Sequence, residues 1–256
     1  MPDHLTFDHD RGVRIGLDEA VLPETEPTEI LIRMLAEAQA ASRRLLITRL
    51  TQAQHDALPD GVRAALDFCP LSRTAWLGPP AGERQGCDVF VASAGTTDAG
   101  VATEAMRVLR WSGIKADLVA DVGVAGLWRL LERAERLREA DVVIVCAGID
   151  AALLSVVAGL VPGAVIAVPT SVGYGVAVGG RAALDAALAS CAPGVTVVNI
   201  DNGYGAACAA LRIANRMRAG KRAPWCRFRN RTIRFSALPS ASGKRWPTRS
   251  MAGSSS

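Results

Sequence analysis

Aromatic residues are scarce in this chain, 5% of the total, although half of its residues are apolar. Ala, Val, Leu and Gly must therefore build the core, which suits a soluble α/β protein of one or two domains. No uninterrupted apolar run of about 20 residues occurs. The most hydrophobic stretch, residues 142–178, is interrupted by Asp150 and by two proline-containing turns. Buried strand–helix–strand is expected there, with no membrane span. None of the six cysteines pairs with another at CxxC spacing, which argues against a structural zinc site. The opening residues, MPDHLTFDHDRG, lack a basic and apolar signal pattern, so a cytoplasmic location with reduced cysteines is the expectation. Acidic residues are missing from 219–256, where nine Lys and Arg gather. The other 20 basic and 25 acidic residues leave about −5 on residues 1–218, so the overall +4 says nothing about the core's partners.

Residues 141–205 organise the rest. Apolar runs at 142–146, 165–168 and 195–200 each end in a polar, glycine-containing turn. Unbroken apolar runs mark parallel strands buried on both faces. Two more strands, 89–92 and 116–119, precede them, and helical stretches separate all five. The expected fold is a doubly wound, flavodoxin-like parallel sheet in three α/β/α layers, over residues 86–218. A smaller N-terminal α/β domain is expected over 1–82, bounded by Pro79-Pro80-Ala81-Gly82. It should hold a helix from Thr28 as cap to Arg43, strands at 45–47 and 73–77, and a weak helix at 52–58. Residues 1–25 read as irregular. Residues 219–256 lose all periodicity and read as a basic, loosely held tail, with nucleic-acid binding the less favoured reading.

In such sheets ligands bind beyond the carboxyl ends of the strands. Ser93-Ala94-Gly95-Thr96-Thr97-Asp98 lies where a strand meets a helix N-terminus, and its N–H groups and hydroxyls suit phosphate or carboxylate. Ser171-Val172-Gly173-Tyr174-Gly175 is a second such turn. The glycines after it do not follow GxGxxG, which argues against a Rossmann oxidoreductase. Asp98, Asp121, Asp150 and Asp201 each follow a different strand, and each can be a base, a metal ligand or a helix cap. Arg11 and Arg14 are a solvated arm or a pair reaching an anion. Cys191 ends the expected helix 181–191. It is a small buried hydrophobe or a nucleophile, and the helix C-terminus before it opposes thiolate formation.

Several motifs are more specific: SAGTTD at 93–98, DVGVAG at 121–126, SVVAGLV at 155–161, VIAVPTSVGYG at 165–175 and SCAPGVTVVNIDNGYGAA at 190–207. Together they resemble the LarB family of nickel-pincer nucleotide biosynthesis, whose C-terminal domain is similar to aminoimidazole-ribonucleotide carboxylase and mutase. Arg11, Arg14, Gly16, Glu19 and Thr48-Arg49 resemble its N-terminal part. The resemblance implies carboxylation of the pyridinium ring of nicotinic acid adenine dinucleotide and hydrolysis of its phosphoanhydride. The implied products are pyridinium-3,5-biscarboxylic acid mononucleotide and AMP, with CO2 or bicarbonate as co-substrate and Mg2+ compatible with the diphosphate. It implies Cys191 as nucleophile and Asp150, then Asp98, as base. Ser93, Gly95, Thr96, Thr97, Asp121, Gly123, Ser171, Gly173, Tyr174, Gly175 and Asn202, with Arg11 and Arg14, would hold the substrate. It also suggests a homo-oligomer, with an octamer as one size it allows. The chain departs from the family at Ala99-Gly100, at Asp150-Ala151-Ala152-Leu153-Leu154, at Trp128 in place of a histidine, and near Glu26 in place of a lysine. A related carboxylase, decarboxylase or mutase on another nucleotide, and a non-catalytic nucleotide-binding protein, are the alternatives.

Overall fold

The computed structural model describes Asp8 and residues 10–219. The first elements are ones that periodicity does not announce. A short helix, α1 (Arg11–Ile15), is closed by Gly16 in the left-handed region, and strand β1 (Ala20–Val21) follows. Neither is long enough to repeat a pattern, so the stretch reads as irregular in sequence. Helix α2 (Thr28–Ala40) buries Leu31, Leu35 and Ala38 on one stripe. Pro27 occupies the capping position, so Thr28 is the first helical residue and caps nothing. The helix stops three residues before Arg43. Ser42 turns left-handed (φ 50°) and the Arg43 N–H reaches back to the Ala38 carbonyl at 2.8 Å.

Strand β2 (Leu45–Ile47) leads to α3 (Gln52–Asp56), started by a reciprocal Thr51–Gln54 capping box. Then come α4 (Asp60–Arg63), β3 (Leu66–Cys69) and β4 (Thr74–Leu77). Strand β3 is not expected from the sequence: Leu66 and Phe68 share one face and pack on the small core, but four partly exposed residues are too short a run to show an alternation. These strands form a small mixed sheet in the order β1-β2-β4-β3.

The large sheet follows in regular alternation: β5 (Arg84–Ser93), α5 (Ala99–Trp111), β6 (Ile114–Val119), α6 (Leu127–Leu131), α7 (Ala134–Glu139), β7 (Val142–Ala147), α8 (Ala152–Leu160), β8 (Ala164–Pro169), α9 (Arg181–Leu188), β9 (Thr196–Val197) and α10 (Gly203–Ala219). Its order is β6-β5-β7-β8-β9, all parallel, which is the flavodoxin-like doubly wound arrangement. Central β7 is buried along its whole length. Val142, Ile144 and Cys146 face the core shared with α5 and α10, and Val143, Val145 and Ala147 face the one shared with α7 and α8. That two-sided cover is why the run shows no alternation. One expected helix is broken at Glu132–Arg133 into α6 and α7, and β9 is two residues long where six were expected.

Both sheets lie in one compact unit. The small sheet meets α5 through stacked cations and rings. Arg107 lies 4.2 Å over Trp76, Trp76 and Trp111 centroids are 5.9 Å apart, and Arg44 lies 4.2 Å over Trp111. Among the described residues no helix is long and apolar enough to cross a membrane. The expected basic tail, from residue 220 on, lies outside the described residues.

Candidate active site

Five parallel strands end on one edge, so the turns after them are brought together by topology. In the turn after β5, Ser93 is buried and donates to the Gly95 carbonyl at 3.2 Å. Asp98, 3% exposed, receives the Gly95 N–H at 2.8 Å on one oxygen and the Thr170 hydroxyl at 2.5 Å on the other. Asp98 therefore fastens the turn after β5 to the turn after β8. Thr96 and Thr97 remain exposed to solvent.

The turn after β6 carries Asp121, ion-paired with Arg129 of α6. Gly123 packs on the Ala94 backbone, where a Cβ would stand 2.8 Å from the carbonyl oxygen, so only glycine lets the first two turns approach. After β7, the Ile149 N–H binds the Val172 carbonyl at 2.9 Å, and exposed Asp150 accepts the Ala152 N–H at 3.2 Å in an Asx turn ahead of α8, whose capping position is Ala151. After β8, Ser171 donates its N–H to the Asp201 carboxylate at 2.8 Å, while Tyr174 is 81% exposed. After β9, Asn202 caps α10 through the Gly205 N–H at 2.7 Å. Ser93, Gly95, Asp98, Ser171 and the Asp201–Asn202 turn are thus linked by hydrogen bonds, and Gly123 by packing.

Strain gathers on the same edge. Asp121, Ile149, Ala151 and Asp201 all lie in the left-handed region, with φ between 51° and 61°. Such positions cost on the order of 1–3 kcal/mol each and concentrate where a site is over-determined by its surroundings. Ile149 is β-branched, which makes it the severest of the four.

Two more residues complete the edge: Glu104, not singled out in the sequence, and Arg49, marked there only by its resemblance to the family's N-terminal part. Glu104 of α5 is 4% exposed and receives the Thr48 hydroxyl and the first N–H groups of α10, at Gly203 and Tyr204. Burial pushes its carboxyl up, against the lowering effect of those donors and of Arg49. The available signal was an acid at an apolar helical position, flanked by buried Ala105 and Val108. Arg49 donates to the Asp201 carbonyl at 3.0 Å and so joins the small sheet to the turns. Cys146, one residue before the end of β7, is fully buried. Burial and then the nearby Asp98, Glu104 and Asp201 push its thiol well up, which makes it inert.

The remaining candidates stand apart. Arg14 is paired with Asp8 at 2.5 Å. Arg11 lies within electrostatic reach of Tyr204 and Cys208 on α10, and its buried Nε has no partner among the described residues. Burial pushes both the Tyr204 hydroxyl and the Cys208 thiol up. Cys191 lies three residues beyond α9 on an exposed loop, and its neighbour Ser190 bonds Ser155 of α8 at 2.7 Å. Because α9 runs back from the carboxyl edge, Cys191 sits away from the five turns of its own chain. No three His, Cys, Asp or Glu side chains among the described residues converge as a metal-holding group.

Known proteins match this part of the chain. The family described as AIR carboxylase matches residues 88–231. Uncharacterized protein MJ0165 of Methanocaldococcus jannaschii is 46% identical over 131 residues, which is 50% of each chain. The chain thus spans about half the length of that curated relative. A crystal structure of a variant of Treponema denticola PurE2 superposes with a TM-score of 0.39 and 19% identity, covering 52% of this chain and 92% of the other.

Proposed function

The chain belongs to the AIR carboxylase family, and from that premise we propose that it carboxylates a nucleotide, namely the pyridinium ring of nicotinic acid adenine dinucleotide. Hydrolysis of the phosphoanhydride then yields pyridinium-3,5-biscarboxylic acid mononucleotide and AMP. The observation that carries a carboxylase reading is the edge itself: strained turns, exposed Thr96, Thr97 and Ser171, and a backbone frame tied by Asp98 and Thr170.

In this reading the Cys191 thiolate, supplied to the turns by a second copy of the chain, adds to C4 of the cationic ring and leaves a neutral enamine. C5 of the enamine attacks CO2 and forms the new carbon–carbon bond. Asp150 takes the C5 proton, the ring regains its aromaticity and the thiolate departs. Support for Cys191 comes from its exposure and its lack of any hydrogen bond among the described residues. Asp98 has both oxygens occupied, so it acts as a positioning residue for the turns. The glycine and hydroxyl turns bind the carboxylates and phosphates. The described residues do not build a metal cage, so Mg2+ stays a counter-ion of the diphosphate in this reading and no step runs through it.

The distance of Cys191 from its own chain's turns favours a second reading. A carboxylase or mutase of another nucleotide that uses the turns alone needs no thiol.

Mass spectrometry of the protein incubated with nicotinic acid adenine dinucleotide, bicarbonate and magnesium tests both. A biscarboxylated mononucleotide that disappears in Cys191→Ala supports the first. Product that persists in Cys191→Ala removes the thiol mechanism. No product from folded protein removes the substrate assignment.

A further inference from the structure

Arg49 and Arg73 both hold a backbone conformation that side chains rarely adopt, with φ 61° and 54°. Arg49 follows β2 and Arg73 precedes β4, its antiparallel neighbour. The Leu50 N–H binds the Arg73 carbonyl at 2.8 Å, and Arg73 Nη2 binds the Arg49 carbonyl at 3.1 Å. Both turns are thereby locked, and the two guanidiniums are aimed at one carboxylate. Arg73 Nη2 lies 2.9 Å from Glu24 Oε1, and Arg49 Nη1 lies 3.2 Å from Glu24 Oε2. Two guanidiniums share the Glu24 carboxylate, and Arg49 also lies within electrostatic reach of the buried Glu104 carboxyl. The pair holds the Glu24 carboxyl below its ordinary range.

The cluster is open to solvent. The side chains of Arg49, Arg73 and Glu24 are 33%, 41% and 40% exposed. Exposed ion pairs of this kind hold weakly, so another anion can take the place of Glu24. The second guanidinium arm of Arg49 reaches the Asp201 carbonyl, and Asp201 in turn holds the Ser171 N–H. A ligand on the polar turns is therefore within one residue of the arginine pair. Guanidinium forks bind phosphoryl oxygens in bidentate fashion, which a single carboxylate between two arginines cannot match.

We propose that Arg49 and Arg73 are the clamp for a phosphoryl group of the nucleotide, and that Glu24 is an internal stand-in which the ligand displaces. This rests on the nucleotide reading above and names the part of the substrate recognised outside the turns.

Calorimetric titration without CO2 tests it, with inorganic phosphate, AMP and nicotinic acid adenine dinucleotide as probes. Removing the competitor in Glu24→Gln should tighten AMP by roughly fivefold or more, and Arg73→Ala should weaken it by roughly tenfold or more, with Arg73→Lys between. Inorganic phosphate binding as tightly as AMP would assign the clamp to free phosphate and overturn the nucleotide assignment. Unchanged or weaker AMP binding in Glu24→Gln, with an unchanged melting temperature, overturns the proposal even where Arg73→Ala fails to fold. Binding that responds as expected in a protein that never carboxylates keeps the clamp and removes only the reaction. Carboxylation with unchanged KM in both variants removes the clamp and keeps the reaction.

Discussion

Asp98 and Thr170 are 72 positions apart in sequence and share a buried 2.5 Å hydrogen bond at the carboxyl edge of the large sheet. Thr170→Val removes the donor and leaves a buried carboxylate oxygen unpaired. Such a loss costs about 1–3 kcal/mol. The expected outcome is a lower denaturation midpoint together with lost turnover, because the turns that this bond ties would separate. Thr170→Ser, which keeps the hydroxyl, should retain most of both. Urea denaturation alongside the product assay decides it; a Val variant of unchanged stability would show that the bond adds nothing.

The Glu104 carboxyl, raised by burial, gives stability a definite dependence on pH. A carboxyl whose folded pKa lies above its unfolded value binds its proton more tightly in the native state. Its contribution therefore favours folding at low pH and is lost as pH rises from the ordinary carboxylate range of about 4.5 through the raised value. Glu104→Gln cannot titrate, so its stability should fall less steeply over that window. Parallel slopes for the two proteins in denaturant midpoint against pH would contradict this.

Glycines on the edge and off it should respond oppositely to alanine. At Gly123 a Cβ meets the Ala94 carbonyl backbone, which cannot give way. Gly123→Ala should cost about 1–3 kcal/mol. Gly61, inside α4 with open space around it, should gain about 0.4–1 kcal/mol from the same change. Thermal melts of the two variants read both signs.

Thiol alkylation of the native protein should separate Cys191 from Cys146. Cys191 is exposed, whereas Cys146 is fully buried near three carboxylates that oppose thiolate formation. Peptide mapping after brief treatment should find Cys191 modified and Cys146 unmodified until denaturant is added. Equal labelling would mean that the sheet opens on the timescale of the reagent.

The large sheet was legible in sequence because both faces of its strands are covered. Val142 to Ala147 can be apolar throughout only in a parallel, two-sided core, and each strand had to end in the turn that breaks it. The gathering of Ser93, Asp98, Ser171 and Asn202 on one edge followed from that alternation alone. What each of those residues does there was not legible. Asp98, Asp150 and Asp201 look alike in sequence, yet one is buried with both oxygens occupied, one is exposed in an Asx turn before α8, and one joins two turns. Glu104 and Arg49 entered the site by long-range contacts, to Thr48 and Asp201, that no local pattern encodes. Local periodicity reports which faces are apolar, and so determines elements and their layering. Partners of a polar group are chosen by packing between segments far apart in the chain, and here only the tertiary structure decided them.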